Sequence, residues 1–368
     1  MKIKLNLKEL KKAVAILSRI ASSKTSLPVL SNILMVGSVD GVKFSATDLE
    51  TAAEIKFKQT INDPKSVAVP ARIFNDLITN LPESEELMIE VKNNKIFIIT
   101  NRNETYINGL DSADFPELPQ IENPTNIKLN ATELKDALTK TVFVASRDET
   151  RPVLNGCLFK FIDQKLNIVA TDGYRLAQKI IQTKSDLSLD VIIPSTTIHE
   201  LIKIISTFDD IEEVELGFDD NSIKFNIGSV EVISKIIDGK YPDYEQIIPA
   251  SFNVENKLNK TEFLSSIKLA SLFAKESAGS ITISKSADDT YINIKSDSNQ
   301  VGENNSKVDV VESSGEGSTT LNGRYISDAL GAIDVKELKF SYSEGVQPCM
   351  ISPIGDDSYI HIIMPLKS

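Results

Sequence analysis

Hydrophobic residues recur along the chain at two spacings. Phe74, Leu77, Ile78 and Leu81 fall at i, i+3, i+4 and i+7; Ile198, Leu201, Ile202 and Ile205 repeat that pattern, and Ile326, Ala329, Leu330 and Ile333 repeat it again. Each set predicts an amphipathic helix of about three turns with one apolar stripe. An earlier helix precedes each, marked by Leu7, Leu10, Val14 and Leu17, by Leu134, Leu138 and Thr141, and by Phe263, Ile267 and Ala270. Pro70 and Pro194 are expected at the first position of their helices, where the missing N–H costs nothing, and Asn322-Gly323 reads as an N-cap start. Alternating runs predict strands at Val42–Ala46, Lys95–Ile99, Ser222–Ile227 and Glu337–Tyr342, with hairpin turns at Asp40-Gly41, Asn93-Asn94 and Asp220-Asn221.

These elements belong to an internal repeat. Ile3-Lys4-Leu5-Asn6 and the following Glu9-Leu10-Lys11 recur 124 positions later as Ile127-Lys128-Leu129-Asn130 and Glu133-Leu134-Lys135. The same offset carries Pro28-Val29-Leu30 onto Pro152-Val153-Leu154, and Ala46-Thr47-Asp48 onto Ala170-Thr171-Asp172. Lys257-Leu258-Asn259 opens a fainter third copy. Each copy reads as a strand, a helix and three antiparallel strands, said twice, which predicts an α+β fold with helices on one face of antiparallel sheets. Proline-rich junctions predict three domains, at residues 1–122, 126–250 and 254–368. The polar stretch from Asp297 to Thr320 reads as a long solvated hairpin loop.

Composition narrows the function. The 368 residues are 41% hydrophobic and 25% charged, globular values, and three copies of about 120 residues are ordinary domain sizes. No apolar run is long enough to span a bilayer, and the alternating N-terminus has no signal-peptide character, so a cytoplasmic protein without a membrane partner is expected. Cys157 and Cys349 alone form neither a disulfide framework nor a thiolate metal cage, which fits a reducing compartment. Phosphate-loop, HExxH, CxxC and GxSxG motifs are missing. His199 and His361 have no neighbouring ligand in sequence and read as surface or packing residues; Asp48 and Asp172, equivalent in two copies, read as turn formers. The residues point to no catalysis, no cofactor and no metal.

A net charge of -12 argues against a nucleic-acid partner when the chain is averaged. The first helices differ from that average. Five cations stand against one acid from Leu7 to Lys24, three against two from Asn130 to Arg147, and three against one from Asn259 to Lys275. Lys8, Lys12 and Arg19 lie off the apolar stripe of the first helix. Taken singly, each stripe is an ordinary solvated face. Side by side, three of them make a surface that contacts duplex phosphate without reading sequence.

Leu27-Pro28-Val29-Leu30, Ala46-Thr47-Asp48-Leu49, Val69-Pro70-Ala71-Arg72, Asp114-Phe115-Pro116, Leu154-Asn155-Gly156, Ala170-Thr171-Asp172-Gly173-Tyr174-Arg175-Leu176, Asp238-Gly239-Lys240-Tyr241-Pro242-Asp243-Tyr244 and Met364-Pro365-Leu366 resemble, in order and over the whole chain, the bacterial DNA polymerase III beta subunit. The resemblance implies a non-catalytic processivity factor in DNA replication. Three clamp domains per chain would form a head-to-tail homodimer, a six-domain ring with sheets outside and helices lining a hole threaded by DNA. It implies partners: duplex DNA, the polymerase alpha subunit, the clamp loader, and other polymerases and repair proteins. These proteins would insert an apolar peptide into a pocket of Leu154, Thr171, Gly173, Tyr174, Arg175, Leu176, Pro242, Ile247, Val346, Pro348, Ile362, Met364, Pro365 and Leu366. Aliphatic, Met and Pro side chains suit an extended peptide, and Arg175 offers a fork for a polar group. By burial preference alone, Leu176, Ile362 and Met364 read equally as core. Tyr174 stands where family members commonly have His, Glu245 and Gln246 stand where they often have basic residues, and Lys367-Ser368 departs from the usual ending.

For DNA, the resemblance implies Arg19, Lys24, Arg72, Lys140, Arg147, Arg151, Lys203, Lys268, Lys275 and Arg324; for the dimer, Tyr106 and Ile107 against Leu272 and Phe273. An acidic peptide-binding scaffold with no role on DNA is the alternative.

Overall fold

The computed structural model describes residues 1–21, 27–82, 86–121, 124–298, 300 and 302–366. The first repeat runs β1 (Lys2–Leu5), α1 (Leu7–Ile20), β2 (Asn32–Ser38), β3 (Gly41–Thr47), β4 (Thr51–Lys58), β5 (Ser66–Pro70), α2 (Ala71–Asn80), β6 (Leu87–Lys92), β7 (Lys95–Ile99) and β8 (Glu104–Asn108). The second runs β9 (Thr125–Asn130), α3 (Ala131–Thr141), β10 (Gly156–Ile162), β11 (Lys165–Thr171), β12 (Arg175–Gln182), β13 (Leu189–Pro194), α4 (Ser195–Ser206), β14 (Glu213–Phe218), β15 (Ser222–Ile227) and β16 (Val230–Lys235). The third runs β17 (Val254–Asn259), α5 (Lys260–Phe273), β18 (Ser280–Lys285), β19 (Tyr291–Ser298), β20 (Gly302–Ser314), β21 (Gly317–Asn322), α6 (Gly323–Gly331), β22 (Glu337–Tyr342), β23 (Cys349–Pro353) and β24 (Tyr359–Ile363). A strand, a helix and three strands thus occur twice in every repeat.

One asparagine starts the first helix of each copy. Asn6 Oδ1 accepts from the N–H groups of Lys8 and Glu9 at 2.9 and 3.2 Å. Asn130 accepts from Thr132 and Glu133, and Asn259 from Thr261 and Glu262, with the same spacing. These bonds satisfy amide donors that the helix leaves unpaired, and Glu9, Glu133 and Glu262 place an acid against the positive helix end. Pro70 and Pro194 stand one residue earlier than expected, as the last residues of β5 and β13. There they still cost no helical hydrogen bond.

The elements gather into two compact units, Met1–Lys135 with Thr196–Ile236, and Asp136–Ser195 with Ile237–Ser368. In the first unit, the sheet orders are β1-β6-β7-β8 and β5-β2-β3-β4-β16-β15-β14-β9. Leu10, Val14 and Leu17 of α1 are fully buried, and Phe44 of β3 stacks on Phe74 of α2 at 6.2 Å. In the second unit, one sheet runs β13-β10-β11-β12-β24-β23-β22-β17-β20-β19-β18-β21, and Phe263 of α5 packs 5.6 Å from Phe340 of β22.

The loop expected from Asp297 to Thr320 is instead largely β20 and β21, with β20 paired to β19 from Ser298↔Gly302 to Tyr291↔Asp309. Val308 is the only fully buried side chain on β20, so its pleat is drawn in Asn, Ser and charged residues and carries no hydrophobic alternation. Asn93-Asn94 forms its expected turn at φ 48° and 57°, the left-handed pair a two-residue hairpin requires.

Replacing Asn6, Asn130 or Asn259 by Ala is expected to lower stability by about 1 kcal/mol each. Urea unfolding of the three single variants checks this.

Candidate partner-peptide and nucleic-acid interfaces

In the second unit, the residues predicted for partner peptides gather around the turn from β11 to β12. Asp172 Oδ1 closes that turn, accepting from the N–H groups of Tyr174 at 2.9 Å and Arg175 at 3.0 Å; Asp48 does the same for Glu50 and Thr51 in the first repeat, the role expected of both. Thr171 Oγ1 donates to the Arg175 carbonyl at 2.7 Å and accepts from Gly173. Gly173 takes φ +90°, where a side chain is strained. The turn leaves Tyr174 61% exposed.

Behind the turn β12 pairs with β24, Leu176 opposite Ile362, and the ladder continues as Met364 N–H donates to the Tyr174 carbonyl at 2.8 Å. Leu154, Leu176 and Ile362 are buried in one cluster with Leu158, Val169, Ile192, Tyr241 and Tyr244, and Ile247 packs half-buried on it. These three are therefore core beneath the site rather than its lining. Pro242 and Val346 are exposed, and Pro348, Met364, Pro365 and Leu366 half-buried. Val346 and Pro348 lie in the connection from β22 to β23. Glu245 at the rim takes Lys160 at 2.6 Å. Lys367 and Ser368 lie outside the described residues.

Arg175 does not offer a free fork. It is 7% exposed, its Nε bonds Asp172 at 3.1 Å, its Nη1 bonds Asp328 of α6 at 2.6 Å, and its guanidinium lies 4.5 Å from the centre of the Tyr325 ring. The turn places one carboxylate and α6 the other, so the guanidinium is held by two acids and a ring face. Its role is to lock the turn to the third repeat.

The predicted cations divide into two groups. Arg19 bonds Glu200 at 2.8 Å, and Lys203 bonds the same carboxylate at 2.7 Å. Burial alone would raise the pKa of Glu200, but hydrogen bonds from Lys203 and Arg19 bring it below the usual carboxylate range. Lys140, its side chain 14% exposed, is held between Asp136 at 2.8 Å and Asp334 at 3.2 Å. Arg151 pairs with Asp148 at 3.3 Å. Arg19 and Lys140 are thus largely neutralised and tied down, contrary to a free phosphate-facing role. Arg72, Arg147, Lys268 and Lys275 are exposed and have no ion pair among the described residues. Arg324, 77% exposed, reaches Asp328 only at 3.9 Å. Lys268, Lys275 and Arg324 line one basic cleft of about 620 Å³. Lys24 lies outside the described residues.

Glu200 and Asp328 occupy matching places, each two residues after the first core residue of its helix, Ile198 or Ile326. Each takes a guanidinium from the preceding repeat, Arg19 from α1 or Arg175 from β12. Asp136 stands four residues before Lys140, a spacing that signals the pair; Arg19 and Glu200 are 181 residues apart, and no local pattern joins them.

Tyr106 on β8 is 55% exposed, whereas Ile107 is 7% exposed and faces inward, as alternation along a strand requires; of that pair only Tyr106 is available to a partner. Leu272 is 57% exposed and Phe273 half-buried. Among the described residues no group of three His, Cys, Asp or Glu is placed to hold a metal, and no helix is long and apolar enough to cross a membrane. Cys157 and Cys349 are buried, which pushes both thiols up to about 12.

Three tandem copies of a two-helix, antiparallel-sheet unit, joined by continuous sheets, define the DNA-clamp class of fold. Family models for the N-terminal, central and C-terminal domains of the DNA polymerase III beta subunit match residues 1–119, 128–243 and 245–367, and the chain belongs to that family. The beta sliding clamp of Staphylococcus aureus (strain Mu50) is 32% identical over 358 residues, 94% of each chain. That of Bacillus subtilis (strain 168) is 31% identical over 359 residues, again 94% of each. The crystal structure of the DNA polymerase sliding clamp from Bacillus subtilis superposes with a TM-score of 0.93 at 30% identity, covering 100% of this chain and 99% of that one. A putative DNA polymerase III beta subunit from Eubacterium rectale superposes at 0.92 and 27% identity, covering 100% of both.

His361, on β24 beside this site, is fully buried; burial first, then the charge of Arg175, push its pKa from 6.5 down to about 3. The unfolded chain takes up that proton below about pH 6.5 while the folded chain does not, so stability falls with pH through this window. From pH 7 to 5 the expected loss from His361 is about 2 kcal/mol. Urea unfolding at both pH values should show that difference shrinking in His361→Phe.

Proposed function

We propose that the chain is a non-catalytic, cytoplasmic replication processivity factor, which closes around duplex DNA as a dimer and tethers polymerases and other partners through the peptide site in its second unit. The observation that carries this reading is a repeated joint with one copy left open. The fourth strand of one repeat pairs with the last strand of the next, β4 with β16 and β12 with β24. By the same rule, β20 of the third repeat and the outer edge of β8 in the first await partners. Over Gly302–Asp309, β20 is paired only with β19, and β8 only with β7, among the described residues. A second copy, head to tail, supplies both, and a rotation that closes after two chains leaves neither of these two edges open. Tyr106 and Leu272 are exposed apolar residues suited to that seam. Asp76, the match of Glu200 and Asp328 on α2, is exposed and has no ion pair among the described residues, free to take a cation of the second chain.

DNA contact rests on Arg72, Arg147, Lys268, Lys275 and Arg324, and on Lys24 by resemblance. A closed ring holds DNA by topology, so these contacts stay weak and independent of base sequence. Partner peptides would settle on Tyr174, Pro242, Val346, Met364 and Pro365 over the Leu154, Leu176 and Ile362 core.

Rings loaded on nicked circular DNA should persist and should slide from linear DNA with free ends; equal loss from both sinks the topological reading. Tyr174→Ala with Met364→Ala should weaken a partner's apolar peptide by about 2 kcal/mol in calorimetry, with the dimer mass unchanged. Leu176 is avoided because its loss would open the core.

A further inference from the structure

The first unit contains a cleft of about 550 Å³ that lies apart from the peptide site. Lys4, Lys8, Lys12, Lys56 and Lys58 line it against a single acid, Glu9. Lys4 meets Glu86 at 3.4 Å and Lys56 meets Glu54 at 3.5 Å, both with exposed lysines, while Lys8, Lys12 and Lys58 have no carboxylate partner among the described residues. Within a chain of net charge -12, this is a concentrated positive hollow.

Its wall is an unfinished sheet. The β4–β16 ladder stops at Ile55↔Val230, because the chain turns at Gly228 and Ser229 to begin β16. β4 runs on through Lys56, Phe57 and Lys58, paired on one side with Lys43, Val42 and Gly41 of β3. On the other side, among the described residues, no strand meets it. Alternate residues of this segment turn backbone N–H and C=O groups to that edge. Ile16, Ile55 and Val230 are buried beneath the same place and form its apolar floor.

We propose that this cleft binds an extended acidic segment of a partner protein, which adds as a strand to the open edge of Lys56–Lys58 and sets its carboxylates against the lysines. Strand addition supplies main-chain hydrogen bonds, and the lysines select the charge. Single-stranded nucleic acid fits less well, since it needs free aromatic faces for its bases. Phe208 already carries Lys12 Nζ at 5.4 Å over its ring, and Phe57 meets Phe44 edge-on at 5.7 Å. The lining also has no arginine to grip a phosphate with two bonds.

The test is fluorescence anisotropy of the full chain with a labelled peptide of alternating glutamate and valine. Binding is expected, with loss of about tenfold or more in affinity for Lys56→Glu with Lys58→Glu. A peptide with lysine in place of glutamate should not bind, and Met364→Ala should leave affinity unchanged. Hydrogen exchange at the Lys56 and Lys58 amides, which alternate with the β3-bonded Gln59 N–H, should slow when the acidic peptide is present. If the Lys56 and Lys58 variant fails to fold by circular dichroism, Lys8→Gln with Lys12→Gln carries the same expectation. No binding, unchanged affinity in the folded variants, unaltered exchange, or displacement by oligothymidylate at lower concentration than the peptide overturns the proposal.

Discussion

An unpaired strand edge is a row of unsatisfied backbone donors and acceptors, and each repeat of this protein carries such an edge on its fourth strand and on its last, where repeats join. β4 and β16, or β12 and β24, satisfy each other by running antiparallel in a fixed register, Ile55 opposite Val230 and Leu176 opposite Ile362. The sheets therefore cross from one repeat to the next without interruption. The proposed peptide site depends on that crossing, because Leu176 and Ile362 come together only where the ladder joins two repeats.

Charge reinforces each crossing by a different route. The acid is constant, Glu200 or Asp328 at the same turn of the second helix, while the guanidinium migrates from α1 to β12. Where Arg175 sits in one joint, Thr51 stands in the other, bonded to Thr197 at 2.8 Å, which continues to Ser234. A buried ion pair and a buried hydroxyl chain thus solve one problem of polar satisfaction. This explains why counting cations on the helices overstated their freedom.

The architecture was legible because it is written several times: the helical stripes, the Asn at each helix start and the 124-residue offset all report local geometry. β20 was not, since its inward positions carry Asn304 and Ser306, which look like loop. In the candidate site, motif and apolar character located the right region, and the tie of Arg175 to Asp328 lay beyond reach because 153 residues separate them. Ile107 failed for a simpler reason, the alternation of faces on β8, which a strand assignment there would have predicted.

The boundary between the two compact units passes through the second repeat, leaving β9 and β14–β16 on one side and β10–β13 on the other. Sequence duplication and compact structure are therefore out of phase. A gene cut at the repeat junctions would sever the β4–β16 and β12–β24 ladders, whereas the compact units are each assembled from two separated lengths of chain. Neither unit can finish forming until the second repeat has been synthesised, and this couples folding of the outer repeats to translation of the middle one.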